Sequence, residues 1–213
     1  MPGKGHFITL EGGEGAGKST MADAIEAFVR DRVTDRVMRI REPGGTPIAE
    51  DIRKILKSGH GEERLCDMAE LLLMYAARAQ LVEGLVRPRL EEGYVIIGDR
   101  HDLSTVAYQG GGRGIPMDTL DTLRRLSLGS FRPDLTILMD IEPLKGMERA
   151  RTRGELDRIE REGTDFFEKV RKAYLEAAAR DDTIKTVDAG RDVDEVRRSV
   201  LGIVASYFGV DAP

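Results

Sequence analysis

The sequence has no tryptophan, one cysteine and three histidines. The lone Cys66 has no internal disulfide partner, and together with His6 and His60 it forms no metal-ligand or nucleophile pattern, so these three read as structural. His101 is set apart only because it directly follows Arg100. An excess of positive charge is also missing: the formal net charge is -5, which gives no bulk electrostatic support to a nucleic-acid or membrane-surface partner. No long apolar run occurs, and the stretch Met1 to Glu11 is too short in apolar content for a signal or spanning segment. The expectation is therefore a soluble cytoplasmic protein with no nucleic-acid and no membrane partner. Repeats and low-complexity segments are absent as well.

What is present is 213 residues, 40% of them hydrophobic, enough for one sizeable core and consistent with a single domain over 1–213. Phe7–Leu10, Val95–Ile97, Leu135–Ile141 and Ile184–Val187 are short apolar runs rich in Ile, Val and Leu, the pattern of buried parallel strands. Val37–Arg41 is a fifth candidate with charge mixed into its alternation. Ile48, Ile52, Ile55 and Leu56 recur at helical spacing, and Ala69 to Leu90 carries a long helical pattern ending near Pro88 and Gly93. Strands alternating with helices predict an α/β fold with a parallel sheet, whose ligands bind at the carboxyl ends of the strands. The glycine cluster from Gly110 to Gly114 and the charge-dense stretch from Arg149 to Arg161 read as mobile surface segments.

Residues Gly12, Gly13, Glu14, Gly15, Ala16, Gly17, Lys18 and Ser19 fit G-x-x-x-x-G-K-[ST] between the first strand and the helical stretch Met21–Val33. Glycines at this spacing let consecutive backbone N–H groups converge on phosphate oxygens, helped by the positive end of the following helix. The motif gives Lys18 the β- and γ-phosphates and Ser19 a Mg²⁺ ion, with Thr20 completing the nucleotide-binding stretch. Glu14 is out of place in an anion cradle, so it is expected to face away from the phosphates or into solvent. No N-K-x-D guanine-reading motif and no transporter-type signature accompany the cradle, which disfavours GTPases and transport ATPases.

The motifs Glu42-Pro43-Gly44-Gly45-Thr46, Tyr75-Ala76-Ala77-Arg78, Asp99-Arg100-His101 and Ala107-Tyr108-Gln109-Gly110, with Arg149 to Arg158 beyond them, resemble bacterial thymidylate kinases over nearly the whole chain. The resemblance implies a three-layer α/β/α P-loop fold with a five-stranded parallel sheet, ATP and dTMP as substrates, Mg²⁺, a homodimer, and an arginine-rich lid at about 149–161. It implies catalytic roles for Lys18, Asp99, Arg100, Arg153 and Arg158. Arg100 would grip the acceptor phosphate, Asp99 would organise the Mg²⁺ shell, and Arg153 and Arg158 would close over the transferring group, with Arg149 and Arg151 as secondary lid candidates. An alternative for the lid is a solvated helix in which Glu148, Glu155, Asp157 and Glu160 pair with these arginines.

For dTMP, the resemblance implies Glu14 near the sugar or its metal, Glu42, Pro43 and Arg53 beside the nucleotide, Arg78 and Gln109 facing thymine, Thr105 as a small polar neighbour, and Tyr108 against the sugar 2′ position. Met74 stands where that family usually stacks a phenylalanine on the base, with Tyr75 a possible substitute. The turn Asp188-Ala189-Gly190-Arg191 is a candidate for packing on adenine, although Asp192 with Glu195 also reads as a helix cap. The closest competing expectation is a kinase for another nucleoside monophosphate; a catalytically silent nucleotide-binding protein is the competitor from another class.

Overall fold

The computed structural model describes residues 4–58, 61–152 and 157–212. Five strands, β1 (His6–Glu11), β2 (Val37–Arg41), β3 (Val95–Asp99), β4 (Leu135–Asp140) and β5 (Ile184–Asp188), form one sheet in the order β2-β3-β1-β4-β5. Every pairing is parallel, with Ile8 opposite both Ile97 and Leu135. The charged alternation of β2 has a simple cause. β2 is an edge strand, so Arg39 and Arg41 point out to solvent while Val37 and Ile40 are buried.

The strand period of two sorts β1 onto two faces. Ile8 and Leu10 join Ile25 and Val29 of α1 (Lys18–Arg32) and Val200 and Val204 of α9 (Val193–Phe208) in the larger core. Phe7 joins Ile96 and Leu81 on the other face, where α3 (Asp67–Leu81) lies. On that second face β1 ends in Thr9 and a fully buried Glu11. The remaining helices are α2 (Pro47–Lys57), α4 (Arg87–Glu91), α5 (Asp102–Thr105), α6 (Met117–Leu128), α7 (Pro143–Arg151) and α8 (Thr164–Ala178). The chain leaves β1 toward β2 on one side of the sheet and leaves β4 toward β5 on the other, which opens a crevice at the carboxyl ends.

Two local expectations are corrected and a third gains a detail. The helical pattern from Ala69 to Leu90 is present and ends at Glu91, but with a widened turn inside it: α3 begins at Asp67, a π-helical segment spans Val82–Val86, and α4 follows. Pro88 has no N–H to return to the preceding turn, and the ladder widens so that the Arg87 N–H reaches the Val82 carbonyl.

The glycine cluster is not a mobile surface segment. Gly110 to Gly112 finish a second π-helical segment, Val106–Gly112, that presses on α8. A Cβ on Gly111 would stand 2.6 Å from the Ala173 methyl and 2.9 Å from the Lys169 carbonyl, and one on Gly112 would collide with the Phe166 ring. Nor are the described residues at the end of the charge-dense stretch loose: Asp157 pairs with Lys57 of α2 at 2.5 Å, Arg158 donates to the Leu56 carbonyl at 3.0 Å, and Glu162 just beyond pairs with Arg113 at 2.5 Å.

Candidate active site

A cleft of about 460 Å³ lies over the carboxyl ends of β1, β2 and β3, and its walls come from α2, α3, α5 and the second π-helical segment. Its floor is the loop joining β1 to α1. Gly15 takes φ 69° there and meets Gly146 of α7 so closely that a Cβ would strike the Gly146 carbonyl, so only glycine fits. Lys18 is buried at the start of α1, its Nζ donating to the carbonyls of Gly12 at 3.1 Å and Gly13 at 2.9 Å. Burial and the nearby Arg100 guanidinium press the Lys18 pKa down to about 8, against the pull of Glu14 and Asp99. Glu14 to Thr20 all line the cleft, and Gly12 and Gly13 back it through their carbonyls.

Glu14 faces neither solvent nor an empty wall. Its Oε1 accepts from Arg100 at 2.5 Å and from the Tyr108 hydroxyl at 2.8 Å. Burial favours the protonated acid, but Arg100, Lys18 and the Tyr108 hydroxyl outweigh it and hold the Glu14 pKa down to about 2. Arg100 therefore pairs across the cleft with Glu14, and not with its neighbour Asp99 as a surface pair would. It also donates to the Gly12 carbonyl at 2.9 Å, and its guanidinium lies 5.0 Å over the Tyr108 ring.

Arg100 is the one non-glycine residue with positive φ, at 71°, among the described residues. The bonds on either side hold it there: its own N–H donates to the Leu10 carbonyl, and the next N–H, of His101, donates to Glu11 at 2.7 Å. Glu11 also accepts from the Ser104 hydroxyl at 2.6 Å and the Tyr174 hydroxyl at 3.1 Å. Burial raises its pKa, opposed by Ser104 and Arg100.

Asp99 closes β3 with one oxygen 3.5 Å from the Ser19 hydroxyl, while its other oxygen is buried with no hydrogen-bond partner among the described residues. A buried acceptor left open beside a hydroxyl is a donor set for a hard cation such as Mg²⁺, which takes few protein oxygens and keeps its waters. The residues present thus fit the ion.

At the far end of the cleft, Arg78 is buried and nearly all of its donors are spent inside the protein. Nε reaches Glu42 at 2.7 Å, and the terminal nitrogens reach Asp102, the His101 carbonyl and Thr105 Oγ1. Glu42 accepts a second bond from His101 Nδ1 at 2.7 Å, and burial of its carboxylate is more than offset by His101 and Arg78, which keep its pKa low. His101 is therefore part of the wall, a role its sequence position only hinted at. Arg53 lines the cleft with NH1 on the Pro43 carbonyl at 2.7 Å. Met74, Thr105, Tyr108 and Gln109 line it too. Tyr75 does not substitute for a stacking ring: it points away, toward α6, with its hydroxyl on the Leu120 carbonyl at 3.3 Å.

The lid expectations divide. Arg153 lies outside the described residues. Arg158 is not brought to the cleft wall; its guanidinium is held by the Leu56 carbonyl and by the buried Glu70 at 2.5 Å. Asp157 pairs with Lys57 instead of a lid arginine, so that alternative fails for this residue. Arg149 lines the cleft and donates to the Ala189 carbonyl at 2.9 Å. The turn Asp188 to Arg191 is tied to α7 by Lys145 and Arg149, and Asp192 caps α9 through the Asp194 N–H. The turn is not among the cleft residues, so its capping role is the one visible.

Sequence reasoning missed Glu11, Lys57, Glu70, Ser104 and Tyr174. Glu70 had a signal: it precedes Met74 and Arg78 by four and eight residues, on one face of α3. A family model described as Thymidylate kinase matches residues 10–200 of the chain.

Proposed function

Because the chain belongs to the thymidylate kinase family and moves the γ-phosphate of ATP to dTMP, we propose that this one cleft holds both nucleotides, with Arg100 at the junction between them. The supporting observation is the bridge from Glu14, inside the phosphate loop, to Arg100 and Tyr108 on the acceptor side. The acceptor phosphate is largely dianionic at neutral pH, so no dedicated base is needed; alignment and charge neutralisation carry the transfer. In this reading the loop N–H groups and Lys18 hold the donor phosphates, and Arg100 leaves the Gly12 carbonyl to take the acceptor phosphate. Ser19 and Asp99 hold Mg²⁺, which when bound neutralises phosphate charge.

Tyr108, fixed by Glu14 and Arg100, walls the sugar. Met74 covers the base with a polarizable thioether where a ring would stack. Arg78, with its donors committed to Glu42, Asp102, His101 and Thr105, offers mainly its rigid face. Arg153 and Arg149 complete the lid in the same proposal, while Arg158 stays on Glu70 and the Leu56 carbonyl and braces the base of the lid. Glu42, Pro43 and Arg53 flank the acceptor nucleotide. A homodimer and a cytoplasmic location belong to this reading as well.

The test is ADP release from Mg²⁺ and ATP with dTMP, dUMP, dCMP, dGMP and AMP as acceptors, for the native chain and Asp99→Asn. A dTMP preference with a raised Mg²⁺ requirement in the variant is expected. Another preferred acceptor, or a variant with unchanged Mg²⁺ dependence, would overturn the assignment it bears on.

A further inference from the structure

Glu70 is 1% exposed and its two oxygens divide their partners unequally. Oε1 accepts from Gln109 Nε2 at 2.7 Å, with Arg113 Nε farther away at 3.4 Å. Oε2 accepts from Arg158 at 2.5 Å and from a terminal nitrogen of Arg113 at 3.3 Å. A carboxylate only accepts, so the amide nitrogen of Gln109 has to be the end that meets it. The Gln109 carbonyl oxygen is thereby turned the other way, and Gln109 lines the cleft beside Thr105, Arg78 and Met74. Pyrimidines differ at the atom such an oxygen would meet: thymine and uracil carry an N3–H donor, whereas cytosine carries an N3 lone pair beside an amino group.

We propose that Glu70 is a specificity-determining positioning residue: by holding the Gln109 nitrogen it presents the Gln109 oxygen to the base, favouring a pyrimidine with N3–H over cytosine. The inference rests on the placing of Gln109 against the acceptor base. Its sharpest consequence concerns Glu70→Gln, a change of nearly equal volume. Arg158 and Arg113 are donors only, so they claim the oxygen of the new amide and leave its nitrogen facing Gln109. Gln109 then turns its own oxygen toward position 70 and its NH₂ toward the base. That is the complement of cytosine.

The experiment measures kcat/KM for dTMP and dCMP with the native chain, Glu70→Gln, Gln109→Ala and the double variant. Glu70→Gln should lower the dTMP to dCMP ratio by about tenfold or more, the scale of one buried hydrogen bond replaced by an unpaired group, with dCMP gaining in absolute terms. The double variant should match Gln109→Ala alone, because Glu70 acts through Gln109. A role in stability alone would lower both acceptors in parallel and leave the ratio, which overturns the inference. If Gln109→Ala leaves the ratio unchanged, Gln109 does not read the base and both readings fall; if it moves the ratio while Glu70→Gln does not, only the Glu70 inference falls. Should Glu70→Gln not fold, side-chain amide exchange in the native chain decides. Slow exchange of the Gln109 NH₂ supports the lock, and exchange at the rate of a solvated glutamine contradicts it.

Discussion

Glu14 and Lys18 carry opposite pH signatures. Glu14 has its carboxyl lowered to about 2 in the fold, against an ordinary 4.5, so the unfolded chain binds the proton first as acid is added. Its stabilising contribution is complete above about 4.5 and fades as pH falls toward about 2. Glu14→Gln should therefore flatten the fall of unfolding free energy across that window in acid titrations; an unchanged slope would mean the Glu14 and Arg100 pair does not hold in solution. Lys18 titrates near 8 in the free protein, and bound phosphates favour its charged form. Between pH 7 and 9 the free protein loses this proton and has to recover it to bind ATP, so affinity should weaken about tenfold over that range. A flat dissociation constant across it would place the Lys18 titration elsewhere. At this scale the sequence was legible where a motif carries the chemistry, as for Lys18, Ser19 and Arg100. It was silent on Glu11, whose position at the end of an apolar strand looks like any strand terminus, and on the Glu14 partner, because 86 residues separate it from Arg100.

Among the elements, the packing of α8 on the second π-helical segment sets the position of Tyr108 and Gln109, since both side chains belong to that segment. The widened turns put Gly111 and Gly112 flush against Phe166, Lys169 and Ala173 of α8, an approach that no side chain permits. Gly111→Ala should cost about 1–3 kcal/mol by overpacking and raise KM for dTMP more than KM for ATP, because the acceptor wall shifts and the phosphate loop does not. Thermal unfolding and steady-state kinetics check this together. A stable variant with native KM values would show that the segment tolerates displacement. Glycine-rich composition alone pointed to a mobile loop, because the signal for turn and the signal for close packing are the same residue. The helical pattern ending near Pro88 and Gly93 was readable, but the widened turn inside it was not, because one π-helical segment leaves the apolar spacing on either side of it helical.

For the molecule as a whole, strand runs and their alternation with helices made the parallel sheet readable, and the edge position of β2 accounts for its mixed charge. The cleft was readable only as a set of separate motifs; the fold supplies what joins them, above all the docking of Asp157 and Arg158, at the end of the lid segment, onto α2 and α3 through Lys57, Leu56 and Glu70. Association lies at the same scale. Met68 and Leu72 on α3 and Leu126 on α6 are exposed apolar residues on helices that pack together, as a helix-packed homodimer requires. Light scattering should give twice the chain mass, and Leu72→Glu should return it to one; a native monomer would contradict the proposed assembly.

The central claim is that donor and acceptor meet in one cleft, and a dinucleotide in which adenosine and thymidine are joined through five phosphates tests it directly. By calorimetry one molecule should bind per chain, excluding ATP and dTMP alike, and Arg100→Ala should weaken it by roughly 10²-fold or more, the scale of losing a charge-assisted contact to phosphate. A compound that displaces only one of the two nucleotides, or that binds equally well without the Arg100 side chain, would contradict the account.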